Sequence, residues 1–213
     1  MADANATVFV VDDDPSVRRS LKRLLRSSGF VVEEFASAND FLRIDPAAGP
    51  GCVILDVRMP HVTGPELFER MARNGSTLPV IFLTAHGDVP TSVRAMKDGA
   101  VDFLLKPADG NTLLAAIRSA IHRHVAGLAA ARERAVVGSR LNRLSPRERE
   151  VMELVVRGEP NKRIAVELRI SEKTVKVHRH RVMEKMEAGS LPDLVRLAGA
   201  PPAAVRAAAP ANA

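Results

Sequence analysis

Short apolar runs alternate with amphipathic stretches over more than half of the chain. The runs read Thr-Val-Phe-Val-Val before Asp12-Asp13-Asp14, Cys-Val-Ile-Leu before Asp56, Pro-Val-Ile-Phe-Leu before Thr84, and Val-Asp-Phe-Leu-Leu before Lys106-Pro107. Residues 52–55 and 80–83 are apolar at every position, the pattern of parallel strands covered on both faces. Helical spacing lies between the runs: Leu21, Leu24 and Leu25 after Asp14-Pro15; Leu67, Phe68 and Met71 after Gly64-Pro65; Val93 and Met96; then Leu113, Leu114, Ile117 and Ile121. This alternation over residues 7–124 predicts right-handed crossovers and a ligand site beyond the carboxyl ends of the strands. Asp12, Asp56, Thr84 and Lys106 are therefore predicted to meet at one sheet edge.

The pattern changes after residue 124. Residues 125–143, Ala-rich with Gly127 and Gly138 near the ends, read as a partly helical linker, its core at 125–140. Ser145-Pro146-Arg147-Glu148 then opens a helix, with Ser145 as N-cap, Pro146 at the first helical position and Glu148 closing a capping box. Helices are predicted at about 146–157, 161–168, 172–187 and 191–199, with Gly158, Ser171 and Gly189-Ser190 as stops and starts. The expected organisation is a first domain over 1–124, a second over 141–199, and an Ala/Pro tail over 200–213 that has nothing to pack and is expected to be disordered. No internal repeat is visible.

Composition sharpens this division. Of 213 residues 46% are hydrophobic, enough for real cores, and the net charge is +6. Residues 1–124 carry 14 Lys and Arg against 15 Asp and Glu, whereas residues 139–199 carry 14 against 9. The basic second half fits a polyanion, although a solvated Arg-rich surface would have the same charge. The lone Cys52 excludes an intramolecular disulfide and lies in an apolar run, where a packing role is expected. No stretch is long and uncharged enough to span a bilayer, and no leader pattern opens the chain, so a cytoplasmic protein without a membrane partner is expected. Trp and Tyr are absent, which argues against a single-strand binder built on stacking.

Asp14 before Pro15 is explained as a helix N-cap; Asp12 and Asp13 are not. Carboxylates crowded at a strand end repel one another unless a cation is present, and a hard ion such as Mg²⁺ takes carboxylate oxygens, waters and phosphate oxygens. Lys106 precedes Pro107, which favours extended geometry there, and a cis Lys106–Pro107 bond would fix that loop. Taken singly, Lys106 reads as a surface lysine and Thr84 as a strand-end hydroxyl. Taken together, each on its own strand, these residues resemble the receiver domain of two-component response regulators.

The resemblance covers residues 7–124. It implies a flavodoxin-like, doubly wound parallel five-stranded α/β fold and a phosphoacceptor at Asp56. It further implies Mg²⁺ on Asp13, Asp56 and the carbonyl of Arg58, with Asp12 acting mostly through water. Thr84 and Lys106 would hold the phosphoryl oxygens, and Phe103 would change rotamer with Thr84, although by composition alone it reads as ordinary core. Arg58 and His86 occupy positions where receivers tune acyl-phosphate lifetime. The implied donor is a sensor histidine kinase, and the surface that responds lies roughly over residues 90–124.

In the second half, Ala165, Leu168, Ile170 and Val175 sit where a helix, a tight turn and a second helix must pack. Along the second helix Val175, Val182 and Met186 face inward, while Lys173, Lys176, Val177, His180 and Glu184 form the opposite stripe. A basic stripe over an apolar spine fits the major groove, although an isolated stretch of this kind reads as an ordinary amphipathic helix. Residues 141–199 resemble an all-α four-helix LuxR-type helix-turn-helix domain. With the receiver, and with His86-Gly87-Asp88-Val89-Pro90 and Leu191-Pro192-Asp193-Leu194-Val195, the chain resembles the FixJ/NarL branch of response regulators.

That resemblance implies base contacts from Lys176, Val177 and His180, with Lys173, Thr174, His178, Arg179 and Arg181 nearer phosphates. Members vary at the position of His180, which leaves its base preference open. Arg169 stands where Gly is common, and a left-handed conformation there would cost roughly 1 kcal/mol. The triplets His122-Arg-His124 and His178-Arg-His180 lack the further ligands of a zinc site.

The expectation is a non-enzymatic, phosphorylation-dependent transcription factor that dimerises on phosphorylation and binds double-stranded promoter DNA, with RNA polymerase as a further candidate partner. A Mg²⁺-dependent phosphotransferase using an Asp nucleophile is the rival, and the basic helix-turn-helix speaks against it. A third reading is a constitutive DNA binder whose receiver only dimerises. The kinase, the operator and the sign of regulation are not written in the sequence.

Overall fold

The computed structural model describes residues 6–44, 49–85 and 89–199; His86 and the tail from 200 lie outside this set. Strands β1 (Thr7–Val11), β2 (Val31–Phe35), β3 (Gly51–Asp56), β4 (Val80–Thr84) and β5 (Asp102–Leu105) form one parallel sheet in the order β2-β1-β3-β4-β5. Helices α1 (Pro15–Ser27), α2 (Ala38–Leu42), α3 (Gly64–Arg73), α4 (Val89–Lys97) and α5 (Gly110–Asn142) connect and follow the strands. The predicted doubly wound fold is present. Every residue of β3 and β4 is buried, which is why those runs carry no polar alternation.

Two cores flank the sheet. Val8, Val10, Ile54, Ile81 and Leu83 pack toward Leu21, Leu25, Leu113, Ile117 and Ile121 of α1 and α5. Phe9, Val11, Leu55 and Phe82 pack toward Phe41, Leu67 and Met71 of α2 and α3. Two elements depart from their sequence cues. Strand β2 carries Glu33 and Glu34 and lies at the sheet edge, so it lacks an all-apolar run. Helix α4 buries Ala95, while Val93 and Met96 are about half exposed.

Helix α5 is the main correction to the predicted organisation. The expected partly helical linker is helical as far as Asn142, and Gly127 and Gly138 lie inside the helix. A glycine in a helix interior costs about 1 kcal/mol relative to alanine, too little to break a helix held at both ends by packing. The chain divides into two compact units at Gly127. The far half of α5 belongs to the second unit, where Val137 is buried in the core.

The second unit continues with α6 (Pro146–Val156), α7 (Asn161–Glu167), α8 (Glu172–Met186) and α9 (Leu191–Ala198). Ser145 caps α6 through the predicted reciprocal box with Glu148, and Ser171 caps α8 by accepting from Thr174 N at 3.1 Å. Val151, Ile164, Val175, Val182, Met186 and Leu194 fill its core. Among the described residues no helix is long and apolar enough to cross a membrane.

Candidate functional site

Strand register carries the first site to the carboxyl edge of the sheet. Val11 lies level with Leu55, Asp56 with Leu83, and Thr84 with Leu105. Asp12 and Lys106 follow directly on their strands. Asp12, Asp56 and Thr84 are buried.

Lys106 joins two of the four. Its Nζ donates to Asp12 Oδ2 at 2.6 Å and to Asp56 Oδ1 at 2.8 Å. Its backbone N donates to the Thr84 carbonyl at 2.7 Å, and the Lys106–Pro107 peptide is cis, as expected for that loop. Burial works against the charge on Lys106, but hydrogen bonds to Asp12 and Asp56 outweigh it, and the ammonium's pKa is raised. Burial also raises the pKa of Asp12, and the Asp56 charge adds to this against the opposing pull of Lys106.

The second oxygen of Asp56 is held from the next loop, where Arg58 N donates to Oδ2 at 3.0 Å. Asp13 is exposed and makes no hydrogen bond or ion pair among the described residues. No three Asp, Glu, His or Cys side chains among those residues gather into a ligand cluster. The available donors are nonetheless all oxygen: two carboxylates and the carbonyl beside Arg58, open to water at Asp13. That set fits Mg²⁺, which retains several waters and takes few protein ligands. Phe103 is half-buried against Phe82, with ring centroids 6.1 Å apart.

The second surface lies on α8. Val175, Val182 and Met186 are buried, whereas Lys173, Lys176, Val177, His180, Arg181 and Glu184 are exposed. Thr174, His178 and Arg179 are half-buried. The Arg179 guanidinium donates to Asn161 Oδ1 at 2.9 Å, and His178 Nδ1 is buried without a hydrogen-bond partner among the described residues. Arg169 has φ 54°, the left-handed turn its position implied.

Residues 8–118 match the family described as response regulator receiver domain, and residues 142–198 match bacterial regulatory proteins, luxR family. The chain belongs to the response regulators that join these two domains. The regulator is similar to transcriptional regulatory protein FixJ of Azorhizobium caulinodans, 47% identical over 191 residues covering 90% of each chain. Response regulator protein TodT of Pseudomonas putida is 43% identical over 197 residues, covering 92% of this chain and 87% of TodT. The structure of response regulator StyR matches with a TM-score of 0.83 at 46% identity, covering 91% of this chain and 98% of that one. Full-length FixJ from B. japonicum matches at 48% identity and a TM-score of 0.56, covering 90% and 95%. The regulator is thus a receiver-containing, non-enzymatic DNA-binding transcription factor, of a class that takes its signal from a histidine kinase and generally uses Mg²⁺ in phosphorylation.

Several contacts that support the two sites have little counterpart in sequence spacing. A Cβ at Gly64 would lie 2.2 Å from the Asp56 carbonyl oxygen, so only glycine lets α3 begin against the end of β3. The motif-like spacing of Asp56, Pro60 and Gly64 was the available cue. Arg18 Nη1 donates to the Asp12 carbonyl at 2.6 Å and so ties α1 to the end of β1. In the second unit, the buried Glu148 accepts from Lys185 Nζ at 2.6 Å while capping α6, which links α6 to the far end of α8. Burial would raise the Glu148 pKa, but the Lys185 and Ser145 hydrogen bonds override it and hold it at about 2.

Proposed function

We propose that Asp56 accepts a phosphoryl group from a sensor histidine kinase and that the modified receiver controls DNA binding by α8. The carrying observation is the double hydrogen bond from Lys106 to Asp12 and Asp56. A carboxylate is a weak nucleophile toward an anionic phosphoryl group, and a fixed ammonium beside it reduces the repulsion as charge develops. Mg²⁺, held by Asp13, Asp56 and the Arg58 carbonyl with Asp12 reached through water, would neutralise further charge on the phosphoryl oxygens. Lys106 and Thr84 would then bind those oxygens, and Arg58 and His86 would tune how long the acyl phosphate lasts.

Phosphorylation adds a dianion where Lys106 now holds two carboxylates. Thr84 moves toward it, Phe103 follows, and the face over residues 90–124 changes. Val93, Met96 and Leu105, exposed by 45%, 46% and 58%, make that face apolar enough for a second copy, and we assign the phosphorylation-dependent homodimer to it. The functional boundaries follow as 1–124 for the receiver, 125–140 for the connecting part of α5, and 141–199 for the DNA-binding domain. The regulator would work in the cytoplasm, at promoters, with RNA polymerase as its further partner.

On DNA, Lys176, Val177 and His180 share the exposed face of α8 and would meet base edges in the major groove. Lys173, Thr174, His178 and Arg181 would lie nearer phosphates. Arg179 would serve there only with the donors its bond to Asn161 leaves over. Anisotropy titrations with an operator selected from random DNA test this reading. Affinity is expected to rise at least about tenfold when the regulator carries phosphate. Equal affinity of the two forms would contradict it.

A further inference from the structure

We propose that His124 is a pH-sensitive pin, whose neutral ring fastens α5 to the amino-terminal end of the receiver sheet and whose protonation releases it. The ring is buried at 7% exposure and makes two hydrogen bonds to other elements. Gly51 N, at the start of β3, donates to Nδ1 at 3.2 Å. Thr77 Oγ1, in the segment leading into β4, lies 3.3 Å from Nε2. Because a peptide N–H points at Nδ1, that nitrogen must offer its lone pair, and the ring proton sits on Nε2, facing Thr77. A second proton would place two N–H groups head to head on a buried ring.

Among the described residues, the ring's partners Gly51 and Thr77 do not titrate and no charged side chain contributes to its proton equilibrium; the Gly51 backbone contact opposes burial only in part. On α5 itself, His122 and Arg123 are exposed. Burial lowers the ring's pKa below 6.5. The unfolded chain therefore takes up this proton first. The stabilisation is fully present above about pH 6.5 and falls away as pH drops below that value through the folded pKa.

A Cβ at Gly51 would lie 2.6 Å from the Thr7 carbonyl oxygen, so β3 and β1 approach closely where the pin attaches. His124 sits at the opposite end of β3 from Asp56, three residues before the division at Gly127, and the phosphoryl chemistry does not use it. The same helix goes on to supply Val137 to the second core, so loosening the pin acts on an element common to both units.

Hydrogen exchange and imidazole ¹⁵N spectra of the full-length regulator, from about pH 8 to about pH 5.5, test the pin across the histidine range. The expected result is an Nε2–H tautomer at high pH. Gly51 exchange, corrected for its intrinsic pH dependence, should then rise at least about tenfold as His124 titrates. His124→Gln should abolish that step. A proton on Nδ1 at high pH, unchanged Gly51 protection across the ring's titration, or the same step in His124→Gln would each overturn the proposal. The first two readouts need only the wild-type protein.

Discussion

Lys106 Nζ lies 2.8 Å from Asp56 Oδ1 while its other carboxylate partner, Asp12, is 2.6 Å away on a different strand. One ammonium thus holds two buried carboxylates that would otherwise repel. Such an arrangement adds little to stability, because desolvation of the three charges offsets most of their attraction. Its value is chemical: Asp56, the acceptor proposed above, is buried, oriented and beside a cation.

The loop after Asp56 depends on Gly64. Gly64→Ala places a methyl group against the Asp56 backbone, which neither a rotamer change nor a side-chain shift can relieve. The variant should lose about 1–3 kcal/mol of receiver stability in urea melts. Its phosphorylation rate should fall even when the fraction folded is corrected for, and a wild-type rate would show that the close approach is dispensable.

Glu148 should make the second unit acid-sensitive. Its carboxyl titrates at about 2 in the folded protein against 4.5 ordinarily, so its contribution is complete above pH 4.5 and disappears as pH falls toward 2. Glu148→Gln should cost about 1–3 kcal/mol at neutral pH and flatten the stability profile in that window. A profile identical to wild type would remove the Glu148–Lys185 pair from the account.

Arg169 occupies the left-handed region at φ 54°. Arg169→Gly should stabilise the second unit by roughly 1 kcal/mol, while Arg169→Val should destabilise it by at least as much. Thermal unfolding of residues 128–213 within the full chain, followed by local probes, is the measurement.

Lys176 and Arg181 should fail differently on DNA. Lys176→Ala should cost about 1–3 kcal/mol on the selected operator and relax preference at one base position. Arg181→Ala should weaken all sequences alike and reduce the salt slope by about one. Equal behaviour of the two variants would mean that α8 is rotated from the assigned face.

Much of this was legible because each site residue ends an apolar run. Asp12, Asp56, Thr84 and Lys106 are the first polar residues after apolar stretches, and parallel topology brings such positions to one edge. The split of α8 into buried Val175, Val182 and Met186 and exposed Lys176, Val177 and His180 followed from helical period alone. Other features were hidden for physical reasons. Gly127 and Gly138 lie near the ends of what reads as a partly helical linker, yet α5 passes through both because packing outweighs local propensity. His124 looked like half of an abortive metal motif; its partners are a peptide N–H and a hydroxyl from residues 73 and 47 positions away. Glu187, left-handed at the end of α8, carries no signal that glycine would have given.

Intact-mass analysis after incubation with Mg²⁺ and a small acyl-phosphate donor tests the central claim most directly. Wild type should gain one phosphoryl group, Asp56→Asn none, and Lys106→Ala should gain it more slowly by on the order of a hundredfold. An unmodified wild-type protein, or equal labelling of wild type and Asp56→Asn, would contradict the account.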